Sequence, residues 1–154
     1  MQLPSCYLFQ NLSAPQIDSL AAITSEEQHP KGKWLFHKDR KADKIYLVKK
    51  GAVELLIQVQ DTIEIPIAVI RPDNGCIGIG TLVEPFRHTL SARCADDSTL
   101  LAIKREDIND LMCQDHELGC IMMKNLAQKL LARLTETRKE LKIHFLNLVR
   151  SAAF

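Results

Sequence analysis

Apolar and polar positions follow two different periods along the chain and divide it into three zones. Over residues 1–23 the period is helical, with Ile17, Leu20, Ala21 and Ile23 on one face. Ser13 and Gln16 stand three apart as a capping box, and Pro15 sits in the first turn, where its missing N–H costs nothing. That helix is expected to end near Thr24. From about residue 25 to 103 the pattern changes to short runs rich in β-branched and aromatic residues: Trp34–Phe36, Ile45–Val48, Val53–Val59, Ile63–Ile70, Leu90–Cys94 and Leu100–Ile103. Turn residues punctuate them at Pro30–Gly32, Lys38–Arg40, Lys49–Gly51, Arg71–Gly75 and Asp96–Ser98, which predicts an antiparallel barrel or sandwich. Pro66 lies inside one run and places that strand at an edge or a bulge. From residue 104 onward the helical period returns. It predicts a short helix from Lys104 to Gln114 and a long one from about Asp115 into the 140s. Ala127, Leu134, Leu141 and Leu148 recur every seventh residue; Leu130 holds the companion position, which Thr137 and His144 then break.

Composition narrows the function classes. A chain of 154 residues, 46 % hydrophobic and 25 % charged, is sized for one folded core. A net charge of +1 gives no electrostatic reason to expect a nucleic-acid or membrane-surface partner. The five cysteines include no C-x-x-C pair, so neither a disulfide framework nor a zinc knuckle is expected, and they read as small hydrophobes. The N-terminus has no signal-peptide pattern and no apolar stretch is long enough to span a bilayer, which makes the cytoplasm the expected compartment. His29, His37, His88, His116 and His144 are scattered without metal-ligand spacing, so no metal site is expected. No nucleophile elbow, phosphate loop or paired carboxylates appear, so an enzyme is not expected.

One segment invites a ligand. Asn74-Gly75-Cys76-Ile77-Gly78-Ile79-Gly80-Thr81-Leu82 places three glycines between two strands, allowing tight turns and close backbone approach. A short helix opening at Gly80 would present free N–H groups to an anion. In its order of elements the chain resembles the cyclic-nucleotide-binding domains of catabolite activators, kinase regulatory subunits and gated channels. Phe9-x-x-Leu12-Ser13, Gly32-x-Trp34-Leu35-Phe36, Ile45 to Val48 followed by Gly51 and Val53, Gly75-x-x-x-Gly78 and the closing helices carry the likeness, over about residues 5–140.

The resemblance implies a mainly β fold with flanking helices. It would be an antiparallel double-stranded β-helix, a jelly-roll-like β-roll with a short N-terminal and a long C-terminal helix. Residues 1–114 would form the roll, and 115–154 a helical extension that pairs two copies into a homodimer. In that family a glutamate after the second glycine holds the ribose hydroxyl, and an arginine ten positions past that glycine forks onto the phosphate. Here Ile79 and His88 stand at those positions. The ungapped register turns Leu90, Ala92 and Cys94 inward; a shift of one residue, to use Arg87, would turn Thr89, Ser91 and Arg93 inward instead.

Losing both contacts costs roughly 1.5–3 kcal/mol each, together two to four powers of ten in affinity. The candidate ligand residues are therefore Gly78, Ile79, Gly80, Thr81, Leu82, Arg87, His88 and Thr89, facing a cyclic nucleotide or another small anion. If a protonated His88 holds the anion, affinity should fall above pH 7. The family's roll is shared with metal-binding cupins, but His37 with His88 is too small a set for a metal. About ten to fifteen residues follow the expected end of the long helix, too few for a recognition domain, so direct DNA binding is not expected and a separate output protein is. Two readings follow. One is a sensor that signals through a hinge near 112–118; the other is a ligand-independent dimerisation or docking module.

Overall fold

The computed structural model describes residues 1–72 and 75–153. The expected turn residues Asp73 and Asn74, and Phe154, lie outside the described residues. A 3-10 turn at Tyr7–Phe9 precedes α1, Ala14–Ala22. The capping box forms as expected: Gln16 N–H donates to Ser13 Oγ at 3.4 Å and Ser13 N–H to Gln16 Oε1 at 2.9 Å. Apart from the 3-10 turn, the residues before α1 are not helical, which corrects the reading of 1–23 as one helical zone.

Eight antiparallel strands follow: β1 Thr24–His29, β2 Trp34–Phe36, β3 Lys44–Lys50, β4 Val53–Gln60, β5 Ile63–Ile70, β6 Cys76–Ile77, β7 Ser91–Cys94 and β8 Ser98–Lys104. They form two sheets, ordered β1-β8-β3-β6 and β2-β7-β4-β5. The period of two explains why β3 and β8 read as unbroken apolar runs. Tyr46, Val48, Leu100 and Ala102 share one core with the second sheet, while Ile45, Leu47, Leu101 and Ile103 turn the other way under the helices. β5 is an edge strand, and the pairing slips where Leu55 faces Ala68 and Leu56 faces Pro66. Pro66 thus sits at both an edge and a bulge, where its missing donor is tolerated. Ile63, Ile65, Ile67 and Val69 remain exposed.

The apolar pattern did not reveal β1. Its sequence, Thr-Ser-Glu-Glu-Gln-His, lies at the rim of the first sheet and pairs along its whole length with β8. The backbone ladder makes this strand, and Glu26 and Glu27 tie it sideways to Lys49 and Lys44. β6 lies within the stretch read as a glycine turn.

The helices α2, Arg105–Gln114, and α3, His116–Ala152, meet at Asp115, whose side chain accepts from Leu118 N–H at 3.0 Å. Gln16 Nε2 donates to Asp115 Oδ2 at 3.2 Å and so ties α1 to this junction. The expected end of the long helix in the 140s is corrected: His144 to Val149 are helical, because neither glycine nor proline follows Gly119 to stop the helix. Only the start of α3 belongs to the roll, through Leu118, Met122, Asn125 and Leu126, and every described residue after Leu126 is exposed.

Asn125 Nδ2 donates to Leu8 O at 3.0 Å and Gln10 O at 2.8 Å, anchoring α3 to the N-terminal turn. Asn125→Ala strands these carbonyls, and a loss of about 1–3 kcal/mol in urea denaturation is expected. A loss below about 0.5 kcal/mol, the range of ordinary surface substitutions, would remove the anchor from the account.

Candidate functional site

The site is built by β6 and the turn after it. Tyr46 pairs with Ile77 and Leu47 with Cys76, so β6 is a short strip on the edge of the first sheet. Gly78 leaves it at φ 88°, and a Cβ there would stand 2.8 Å from Lys44 O, so only glycine fits. A 3-10 turn, Ile79–Thr81, follows in place of the expected helix at Gly80. Gly80 lies against the returning chain, where an added Cβ would meet Arg87 O at 2.3 Å. That returning chain is held by the loop before β3: His88 N–H donates to Arg40 O at 2.9 Å and Asp39 N–H to His88 O at 2.8 Å.

Gly78, Ile79, Gly80, His88 and Thr89 line one cavity of about 60 Å³. Phe36, Leu55, Cys76, Ile77, Leu90 and Arg133 complete its walls. His88 is 5 % exposed and its ring stacks on Phe36, with centroids 3.5 Å apart and 4° between the planes. Burial pushes the His88 pKa below the ordinary histidine value, with Asp43 pulling weakly the other way. The imidazole is therefore neutral at pH 7. Since the folded pKa lies below the unfolded one, the penalty for charging this ring is absent at high pH and grows as pH falls through the unfolded value.

The other candidates stand apart. Arg87 is exposed and donates from Nη1 to Asp39 O at 2.8 Å, so it does not line the cavity; its neighbour His88 points in and alternation turns Arg87 out. Thr81 is buried, and its hydroxyl and N–H are spent on Lys44 O at 2.9 Å and Gly78 O at 3.0 Å, so they are not the free donors expected for an anion. Leu82 lines a separate hollow of about 260 Å³ with Phe86, Arg105 and Met112. Arg133 escaped the sequence reading. Its spacing from Leu126 and Leu130, seven and three residues, puts it on the helix face that returns to the roll. Among the described residues no group of three or more His, Cys, Asp or Glu could hold a metal ion. No helix among them is long and apolar enough to cross a membrane.

The sequence model described as "Cyclic nucleotide-binding domain" matches residues 26–115. A search of the curated proteins found no match. Among solved structures, the N-terminal domain of a transcriptional regulator from Streptomyces coelicolor A3(2) is 28 % identical with a TM-score of 0.70, covering 80 % of this chain and 88 % of that one. The Thermus thermophilus catabolite activator protein is also 28 % identical, with a TM-score of 0.76, over 89 % of this chain but 62 % of its own. A cyclic nucleotide-binding domain from Methylobacillus flagellatus KT shares the fold at 18 % identity and a TM-score of 0.73, covering 86 % and 74 %.

Proposed function

The chain belongs to the cyclic nucleotide-binding domain family, and on that premise we propose that it is a non-catalytic cytoplasmic regulatory domain that signals through α3 and binds cyclic nucleotides weakly. The observation that carries this reading is α3 itself. Past Leu126, its last buried residue, the helix exposes Leu130, Leu134, Leu141 and Leu148 over more than twenty residues. Apolar surface on that scale is a pairing surface, and its partner in this proposal is a second copy of the chain. The pocket and the helix are joined through the Asp115 junction, the Asn125 anchor and Arg133, so a ligand that changes the pocket would bias α3.

Weak binding follows from Ile79, His88 and the outward Arg87: neither the ribose hydroxyl nor the phosphate finds the partner that the family supplies. The second reading, a ligand-independent dimerisation or docking module, is favoured by the Phe36–His88 stack and the 60 Å³ cavity, which fill the place of a nucleotide.

Isothermal titration with cyclic AMP and cyclic GMP tests both. Dissociation constants near millimolar, displaced by about two to four powers of ten from a micromolar site, are expected. Saturable heat at low micromolar ligand would overturn the weak-binding proposal. Complete silence at millimolar ligand would decide for the docking module.

A further inference from the structure

A second hollow opens where the turn after Gly80 meets α2, and it shares no lining residue with the cavity beside His88. Its volume is about 260 Å³. That is just below the roughly 300–1,000 Å³ of sites for drug-sized ligands, so it suits a molecule with one ring or one branched chain. From α2 it is lined by Arg105, Ile108, Asn109 and Met112, the i, i+3, i+4 and i+7 positions of a single helix face, with Glu106 beside them. Thr81, Leu82 and Phe86 close it from the turn. Leu82 and Ile108 are buried, Phe86 and Met112 half-buried, and Glu106 and Asn109 exposed, so the interior is apolar and the mouth polar.

Two opposite charges stand unused at this hollow. Among the described residues, neither the Arg105 guanidinium nor the Glu106 carboxylate takes part in a salt bridge. Arg105 instead lies over the Phe86 ring, 4.5 Å from its centre. In the groove that continues past Arg105, Lys41 and Lys44 are taken up by Asp43 and Glu27. Phe86 is held in the left-handed region at φ 55°, unfavourable for a residue with a bulky side chain. Its N–H donates to Val83 O at 2.9 Å and its carbonyl accepts from Ala42 N–H at 2.8 Å, which fixes the residue against α2.

We propose that this hollow binds a free α-amino acid with an apolar side chain, for which phenylalanine is the probe. The carboxylate pairs with Arg105, the ammonium with Glu106, and the side chain packs among Leu82, Phe86, Ile108 and Met112. An apolar acid without the amine leaves Glu106 unanswered and brings a like charge near it; an amine without the acid does the same at Arg105. Only the zwitterion answers both charges. The proposal is independent of the cyclic-nucleotide reading. Met112 also packs against the first turn of α3, where a Cβ added at Gly119 would stand 3.2 Å from Met112 Cβ. A ligand seated on Met112 therefore bears on the start of that helix.

The test is an amide-shift titration of the isotope-labelled full chain with L-phenylalanine. The expected result is saturable shifts at Phe86, Arg105, Ile108 and Met112, with a dissociation constant of about a millimolar for a ligand of this size. Phenylpropionate, which lacks the amine, and phenethylamine, which lacks the acid, should each bind about tenfold more weakly, the worth of one charge-assisted hydrogen bond. Arg105→Ala and Glu106→Gln should each weaken phenylalanine by a similar factor while leaving the thermal midpoint unchanged. The two analogues are read on the native chain, so the answer does not depend on any variant folding. No saturable shift with phenylalanine, shifts centred on His88 and Thr89 instead, or an analogue that binds as tightly as phenylalanine would each overturn the proposal.

Discussion

Ile79→Glu combined with His88→Arg should tighten cyclic AMP binding by two to four powers of ten over the native chain. The argument is additive. A carboxylate at position 79 restores an acceptor for the ribose hydroxyl, and a guanidinium at 88 restores a bidentate partner for the cyclic phosphate. Each is worth roughly 1.5–3 kcal/mol, or about one to two powers of ten apiece. The backbone is suited to both. Gly78 already turns the chain at φ 88°, and the backbone bonds to Arg40 and Asp39 that hold His88 at the cavity wall would hold an arginine at the same place. Replacing His88 also removes the ring stacked on Phe36 and opens the space it fills. Titration calorimetry of the two single variants and the pair reads the effect directly. Unchanged affinity in the pair would mean that the walls of the cavity, not the missing charges, exclude the ligand, and the sensor reading would give way to the docking module.

The second large effect is on assembly. Leu134→Glu should convert a dimer into a monomer in sedimentation velocity at tens of micromolar protein. Leu134 is 45 % exposed in the single chain and lies at the centre of the heptad that runs from Ala127 to Leu148. Pairing two α3 helices buries the exposed remainder of both copies, about half of the roughly 1.5–3 kcal/mol that full burial of a leucine is worth. Losing both copies therefore weakens the dimer by about one to two powers of ten, and two carboxylates brought together at the seam add repulsion. An exposed position on a lone helix should lose little stability, so the thermal midpoint of the diluted monomer serves as control. A native chain that sediments as a monomer, or a variant that stays dimeric, would remove α3 as the pairing surface.

How much of this was legible in the sequence depends on which force made each element. Ile63–Ile70 and Trp34–Phe36 were readable to the residue, because β-branched and aromatic runs between turn residues favour extended backbone even where, as in β5, most of the side chains stay exposed. The Ser13–Gln16 capping box was readable because its hydrogen bonds are local. β1 was not, since its six residues carry no apolar alternation and become a strand only when β8 offers its edge. β6 was hidden for a related reason: two residues between glycines have no period to detect. The end of α3 was placed short, in the 140s, whereas the helix runs on to Ala152. A heptad break weakens pairing but does not end a helix that lacks a glycine or proline.

The sequence by itself determined the two-period architecture and the placing of Pro66 at an edge or a bulge. Both follow from local steric preference and from side-chain alternation, which act over a few residues. The tertiary structure alone decided what the pocket contains and what touches it. Phe36 lies far from His88 in sequence yet stacks on its ring, and Arg133 reaches the cavity from the far end of the chain. Such meetings come from how two sheets and a returning helix close around shared cores. That closure depends on burial summed over the whole molecule, and no local pattern records it.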